Sequence, residues 1–492
     1  MGARTLVGTW TPTDADRRTR RAQRRNASEI VARSAREAKD AARRRREDEI
    51  AERRLAAYLP AGGEPGPRAL RTFTRLHVPP HRATSAALSG AYPFLAEGGL
   101  GSEGLVVGRD LYSGGTFCYD PWVFYQRGIL SNPNLLVAGV IGQAKSALAK
   151  SLALRSVAFG RKVYVPGDPK GEWGAVTRAV GGHVLALGHG MTARLNPLDE
   201  GPRPDGLDDT TWAKLVWSRR RDLVGTITET VLGRPLLPTE HSAIDTALRA
   251  AAAANGRPVL PRVVDALLEP ALGADLGVDS VASVRADGRD VGHALRRLVV
   301  GDLAGLFDGP STVAFDTAAP MISVDLSRVS GSDTLLAIVM ACSSSWMEAG
   351  LADPAGGKRW IVYDEAWRIM RQIALLRRMQ TQQKLARALG IANIMIIHRL
   401  SDLDAIGDAS SEARALATGL LADCSTRVIY KQEADQVANS SALLGLTEPE
   451  RELLPMLRQG VALWRVGQRS FVVQHRRSTT ELALLDTDAR MT

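Results

Sequence analysis

From residue 134 onward the chain is punctuated by short apolar runs, at 134–138, 162–166, 183–187, 321–326, 360–363, 393–397 and 427–431. Most are continuous rather than alternating, the pattern of strands covered on both faces. Segments of helical periodicity lie between them. Strands alternating with helices predict an α/β fold on a mainly parallel sheet with right-handed crossovers. The stretch 205–302 breaks the alternation, since its apolar spacing is helical at 212–232, 240–254, 262–268 and 291–299 and it holds no convincing strand. It is expected to be an all-α insertion. Further on, Thr447-Glu448-Pro449-Glu450 has capping-box spacing before Leu453 and Leu454. The runs 461–466 and 469–474 flank Gly467-Gln468 as the arms of a hairpin do.

The N-terminal pattern is different. Residues 17–54 carry 15 Lys and Arg against 7 Asp and Glu, a surplus of eight that leaves only two of the chain's ten net positive charges to everything else. This arm is rich in Ala, Arg and Glu and has no Gly or Pro, so its propensity is helical. With little beyond Ile30, Val31, Ile50 and Leu55 to pack, it cannot bury a core and is expected to be a solvated or partly disordered helix. Such a charge attracts anionic lipid or nucleic-acid phosphate, although a charged helix with no specific ligand has the same composition. The cluster Pro60, Gly62, Gly63, Gly66 and Pro67 ends the arm. The expected division is an arm over 1–59, a linker with a small β-rich lead-in over 60–130, the α/β body over 131–204 and 303–492, and the all-α insertion over 205–302. Within the lead-in, 92–126 reads as short extended pieces turning at Gly98-Gly99 and Gly114-Gly115.

Composition narrows the class. At 492 residues the chain exceeds one compact domain, and 45% hydrophobic with 24% charged residues is ordinary for a globular protein. The longest apolar runs, such as 335–342, fall short of the roughly 18 residues of a membrane helix. Polar and charged residues follow Met1 in place of an apolar leader, so a cytoplasmic protein is expected. Cys118, Cys342 and Cys424 are far apart and have no nearby His, which excludes a disulfide framework or zinc cluster.

Two segments carry chemistry. Gly139-Val140-Ile141-Gly142-Gln143-Ala144-Lys145-Ser146 follows an apolar strand and opens a helix rich in Ala and Leu, the context of a phosphate-binding loop. In such a loop backbone N–H groups face the phosphates of ATP, Lys145 brings a point charge to the β and γ groups, and the Ser146 hydroxyl ligates Mg²⁺. The pattern expects Gly where Ala144 stands. The second segment is the apolar run 360–363 ending in Asp364-Glu365. Phosphoryl transfer needs a metal ion and an aligned water, so Asp364 would hold the Mg²⁺ shell and Glu365 would orient or deprotonate the water. Acidic residues after a strand also serve as plain helix N-terminal charge.

Taken in order, the loop 139–146, Asp168-Pro169-Lys170-Gly171-Glu172-Trp173, Asn196-Pro197-Leu198-Asp199, Gly305-Leu306-Phe307-Asp308-Gly309 and Asp364-Glu365-Ala366-Trp367 form a series. It is similar to that of the conjugation ATPases of type IV secretion systems, of the VirB and TraC type. The resemblance runs from about residue 92 to the end. It implies a RecA-like P-loop motor related to the HerA and FtsK families, using ATP and Mg²⁺. It also implies a homo-oligomeric ring, such as a hexamer, beside membrane-embedded secretion-channel proteins at the inner face of the cell membrane. Relative to that family the chain reads as N-terminally shortened, with the arm in place of most of the usual N-terminal domain. The family commonly places a γ-phosphate-sensing Gln where 393–397 leads into His398, and His398 can donate a hydrogen bond in its stead. Ring ATPases complete their sites with an arginine from a neighbouring subunit. Arg387 and Arg427 are the candidates, and Arg387 lies where the resemblance places a basic residue. Asp168 and Glu172 follow the second strand at the carboxyl ends of the sheet, and touch nucleotide or a subunit interface. Two other functions fit these motifs: a DNA translocase of HerA, FtsK or coupling-protein type, and a nucleotide-binding assembly scaffold with weak turnover.

Overall fold

The computed structural model describes residues 14–55, 99–255, 257–270, 281–301, 303–329, 333–351, 356–386, 389–397, 412–433, 437 and 445–485. The chain divides into two compact units, residues 1–94 and 95–492. In the first, α1 (Asp14–Leu55) is a single helix of 42 residues whose described side chains are all exposed. Without an apolar face it depends on propensity and on Arg–Glu pairs one turn apart. Arg25–Glu29, Arg33–Glu37 and Arg43–Glu47 are such pairs, each contributing roughly 0.2–0.5 kcal/mol.

The second unit is built on one sheet. Its strands are β1 (Leu105–Asp110), β2 (Thr116–Tyr119), β3 (Leu135–Ala138), β4 (Lys162–Asp168), β5 (His183–Gly188), β6 (Met321–Arg328), β7 (Arg359–Tyr363), β8 (Ile391–Ile397), β9 (Thr426–Ile429), β10 (Val461–Val466) and β11 (Arg469–His475). Their order is β2-β1-β11-β10-β9-β3-β8-β7-β4-β6-β5. From β9 to β5 the strands are parallel, and these are the seven apolar runs of the sequence. The remaining four are antiparallel. The expected α/β class is thus the one observed.

The helices are α2 (Pro121–Gln126), α3 (Lys145–Ala158), α4 (Gly174–Ala179), α5 (Asp209–Leu232), α6 (Pro238–Asn255), α7 (Leu260–Leu268), α8 (Val281–Val299), α9 (Asp333–Leu351), α10 (Ala366–Met370), α11 (Ile373–Ala386), α12 (Glu412–Ala422), α13 (Glu448–Leu453) and α14 (Thr479–Leu485). Helices α5 to α8 lie between β5 and β6. The sheet has a core on each face, because successive strand residues point opposite ways. On one face Leu135, Val137, Trp360 and Val362 pack with Leu148 and Leu152 of α3. On the other, Leu136, Ile361 and Tyr363 belong to a cluster that includes Leu223 of α5 and Ile338 of α9. Each fully buried aliphatic side chain contributes roughly 1.5–3 kcal/mol.

Local signals were realised where the chemistry is local. The capping box of Thr447 and Glu450 opens α13, and Val466 pairs with Arg469 across a turn at Gly467, φ 60°. Other expectations need correction. The stretch 92–126 does not stay extended: Pro121 starts α2, and the Asp120 carboxylate accepts hydrogen bonds from the N–H groups of Trp122 and Val123. The strands β1 and β2 of the β-rich lead-in join the main sheet through the β1–β11 pairing. Strand β9 ends at Ile429, short of residue 431, because the chain there turns its backbone to the loop after β3. The three cysteines are buried free thiols. Among the described residues no helix is long and apolar enough to cross a membrane.

Candidate functional site

Ala138, the last residue of β3, stands opposite Ile397 of β8 and Ile429 of β9, so three parallel strands end level. The chain then forms a loop and enters α3 at Lys145. At Gly139 a Cβ would lie 2.5 Å from the Cβ of Tyr430, so only glycine allows this approach to β9. At Gly142, φ 80°, a Cβ would meet nothing within 4 Å, and Ile141 beside it is 74% exposed. The loop is therefore anchored at its root and open at its tip. Bonds that hold it include Val140 N–H to Lys431 O at 3.1 Å, Lys145 Nζ to Val140 O at 2.9 Å, and Gln459 Nε2 to Gly142 O at 2.8 Å. Lys145 is buried and Ser146, the second residue of α3, half-buried.

Ala144 has φ 71° and ψ 29°, and Glu365 has φ 68° and ψ 38°. Among the described residues these two alone combine a Cβ with a left-handed backbone. The conformation costs an L-residue roughly 1–2 kcal/mol, and such strain collects at functional sites. Gly at position 144 would relieve it at some entropic cost, so Ala144→Gly is expected to stabilise by about 0.5–1 kcal/mol. That should raise the melting temperature by roughly 1–3 °C. A lower melting temperature would show that the methyl group makes a compensating contact.

The carboxylates stand at the end of β7, one strand removed from β3 across β8. Asp364 is buried and accepts a hydrogen bond from Trp173 Nε1 at 2.9 Å. Burial raises its pKa, the Trp173 bond opposes that, Glu365 adds to the rise, and Lys150 of α3 and Lys170 draw it back. Glu365 is 3% exposed, with one oxygen 2.6 Å from Lys170 Nζ and the other accepting a hydrogen bond from Trp367 Nε1. Asp168, at the end of β4, is pushed up to about 6, chiefly by burial, against backbone hydrogen bonds from Trp173 and Glu172. Glu172 pairs with the almost fully buried Lys150 at 2.7 Å.

The residues singled out in the sequence thus fall into two groups on one edge. The loop residues Gly139 to Ser146 open α3, and Asp364, Glu365, Asp168 and Glu172 gather around Lys150, Lys170 and Trp173. These last three had no assigned role. Lys170 and Trp173 lay within a recognised motif, but Lys150 and Gln459 carried no local signal. Arg387 and His398 lie outside the described residues. Arg427 is half-buried on β9 and donates from Nη2 to Ala422 O at 3.4 Å. The other two motifs serve the helical insertion: Leu195 N–H bonds Leu306 O at 3.0 Å, and Asn196 and Asp199 bond each other, Pro258 and Ser311.

Among the described residues no three His, Cys, Asp or Glu side chains are placed to hold a metal ion between them. Ser146 and Asp364 each carry oxygen of the hard type that Mg²⁺ takes. A cleft of about 1310 Å³ lies elsewhere, lined by α5, α6 and α11 and by Ile361 and Tyr363 on the face opposite α3.

No protein-family model and no curated protein matches the chain. Among solved structures it is similar to VirB4 of Thermoanaerobacter pseudethanolicus, with a TM-score of 0.64 and 21% identity over 78% of this chain and 100% of that one. That likeness establishes a shared fold, the RecA-like α/β architecture of VirB4. A TM-score of 0.48 and 14% identity relate 70% of this chain to 86% of the bacterial conjugative coupling protein TrwB in complex with sulphate.

Proposed function

We propose that the protein is an ATP-hydrolysing motor that energises conjugative type IV secretion, in DNA or protein transfer or in pilus assembly. The observation that supports this best is the placement of the 139–146 loop and the Asp364-Glu365 pair at one carboxyl edge of a VirB4-like parallel sheet. Ligands of open α/β sheets bind at that edge. Backbone N–H groups of the loop and of the start of α3 receive the phosphates, and Lys145 places its ammonium on the β and γ groups. Ser146 and Asp364 would hold Mg²⁺, which neutralises charge on the phosphates when bound. Glu365 aligns the attacking water and takes its proton. His398 contributes a hydrogen bond to phosphate or water, and Arg387 or Arg427 completes a neighbouring subunit's site in a homo-hexameric ring.

On this reading the protein works in the cytoplasm at the inner face of the membrane, with secretion-channel proteins as partners and DNA as a candidate ligand. The charge of α1 suits anionic lipid or nucleic-acid phosphate. Phosphate release, measured across protein concentrations with and without DNA, tests the proposal. Mg²⁺-dependent release is expected to rise where subunits assemble. Strong stimulation by DNA would favour a translocase that pulls DNA directly. No release at concentrations where rings form would end the motor reading in favour of a nucleotide-binding scaffold.

A further inference from the structure

The loop 168–173 touches the acidic pair, and the motor mechanism above gives it no task. It leaves β4 at Asp168, turns at Gly171 with φ 69°, and reaches Trp173 ahead of α4. The Asp168 carboxylate accepts from the backbone N–H groups of Lys170 at 3.3 Å and Trp173 at 2.7 Å, so the loop is closed on itself. From this frame Trp173 reaches Asp364, Lys170 reaches Glu365, and Glu172 reaches Lys150 on the helix that the phosphate loop opens.

We propose that Lys170 is a positioning residue for hydrolysis, fixing the plane of the Glu365 carboxylate from the 168–173 loop. This rests on the reading of Glu365 as the water-aligning group. A carboxylate offers about four lone-pair directions. Lys170 engages the first oxygen and Trp367 the second, which sets the plane of the carboxylate. The left-handed backbone of Glu365 needs such support, because strained residues persist only where neighbours over-determine them. Lys170 is 50% exposed, so its ammonium can be removed without opening a cavity. The pairing of Glu172 with Lys150 ties the same loop to α3, so direct contacts link Glu365 to the helix that the phosphate loop opens.

Steady-state kinetics and unfolding of the full chain test the assignment. Lys170→Met is expected to lower kcat about tenfold to a hundredfold, since small misplacements of catalytic groups cost that much, with KM for ATP within about twofold. Lys170→Arg should recover most of the loss. In nucleotide-free protein, the denaturation midpoints of Lys170→Met, Glu365→Gln and the double variant should be non-additive, as for residues in contact. An unchanged or raised kcat in Lys170→Met overturns the proposal, a rise meaning that the lysine restrains Glu365; so do additive midpoints. Failure of the motor reading looks different: the unmutated protein itself then releases no phosphate.

Discussion

Lys145→Ala is expected to lower ATP turnover by roughly 10²–10³-fold, and ATP affinity with it, since one preorganised donor on developing charge is worth about that much. The side chain has two tasks. In the nucleotide-free protein its ammonium donates to Val140 O at 2.9 Å, across the loop it helps to shape. On the proposed reading the same charge, at the positive end of α3, offsets the β and γ phosphates of bound nucleotide. Alanine removes both contributions while leaving the packing of Leu148 and Leu152 against β3 in place. Titration with a fluorescent ATP analogue, paired with a melting curve, separates lost binding from lost folding. Unchanged affinity in a folded variant would remove the loop from the nucleotide site.

Glu365→Gln is expected to bind ATP as the unmutated chain does but to turn over roughly 10²–10⁴-fold more slowly, the range of general-base catalysis. Glutamine keeps the shape, and its amide oxygen can still accept from Lys170 or Trp367, both partners of Glu365 in the structure. It cannot take a proton from water. A drop in kcat at constant affinity therefore reports the base and not the binding site. Single-turnover measurement at saturating ATP is the check. Persistence of turnover would move the proton acceptor to a neighbouring carboxylate, Asp364 or Asp168.

Much of the fold was legible because its signals are short-ranged. Seven apolar runs, most of them continuous, gave seven parallel strands, and where both faces are buried no solvent side demands polar residues. Gly467 marked the β10–β11 turn and Thr447 with Glu450 the start of α13, each through bonds made within a few residues. The β1–β11 pairing had no such signature, since an antiparallel ladder between distant segments depends on backbone groups that every residue carries. Pro121 and Asp120 did announce α2, but the extended reading of the surrounding turns hid them.

The same division runs through the site. Sequence by itself determined the residue types proposed to receive phosphate and those that flank a strand end: Gly139, Gly142, Lys145, Ser146, Asp364 and Glu365. Their meaning is local, because a glycine turn before a helix and acids after an apolar strand are defined by neighbours along the chain. Only the tertiary structure decided what those groups face. Trp173 and Asp364 are 191 residues apart yet share a 2.9 Å hydrogen bond, Lys170 stands 2.6 Å from Glu365, and the backbones at Ala144 and Glu365 are held left-handed. Such contacts arise where parallel crossovers bring the ends of β3, β4 and β7 to one edge. A buried carboxylate must find its partners among whatever side chains the packing delivers there.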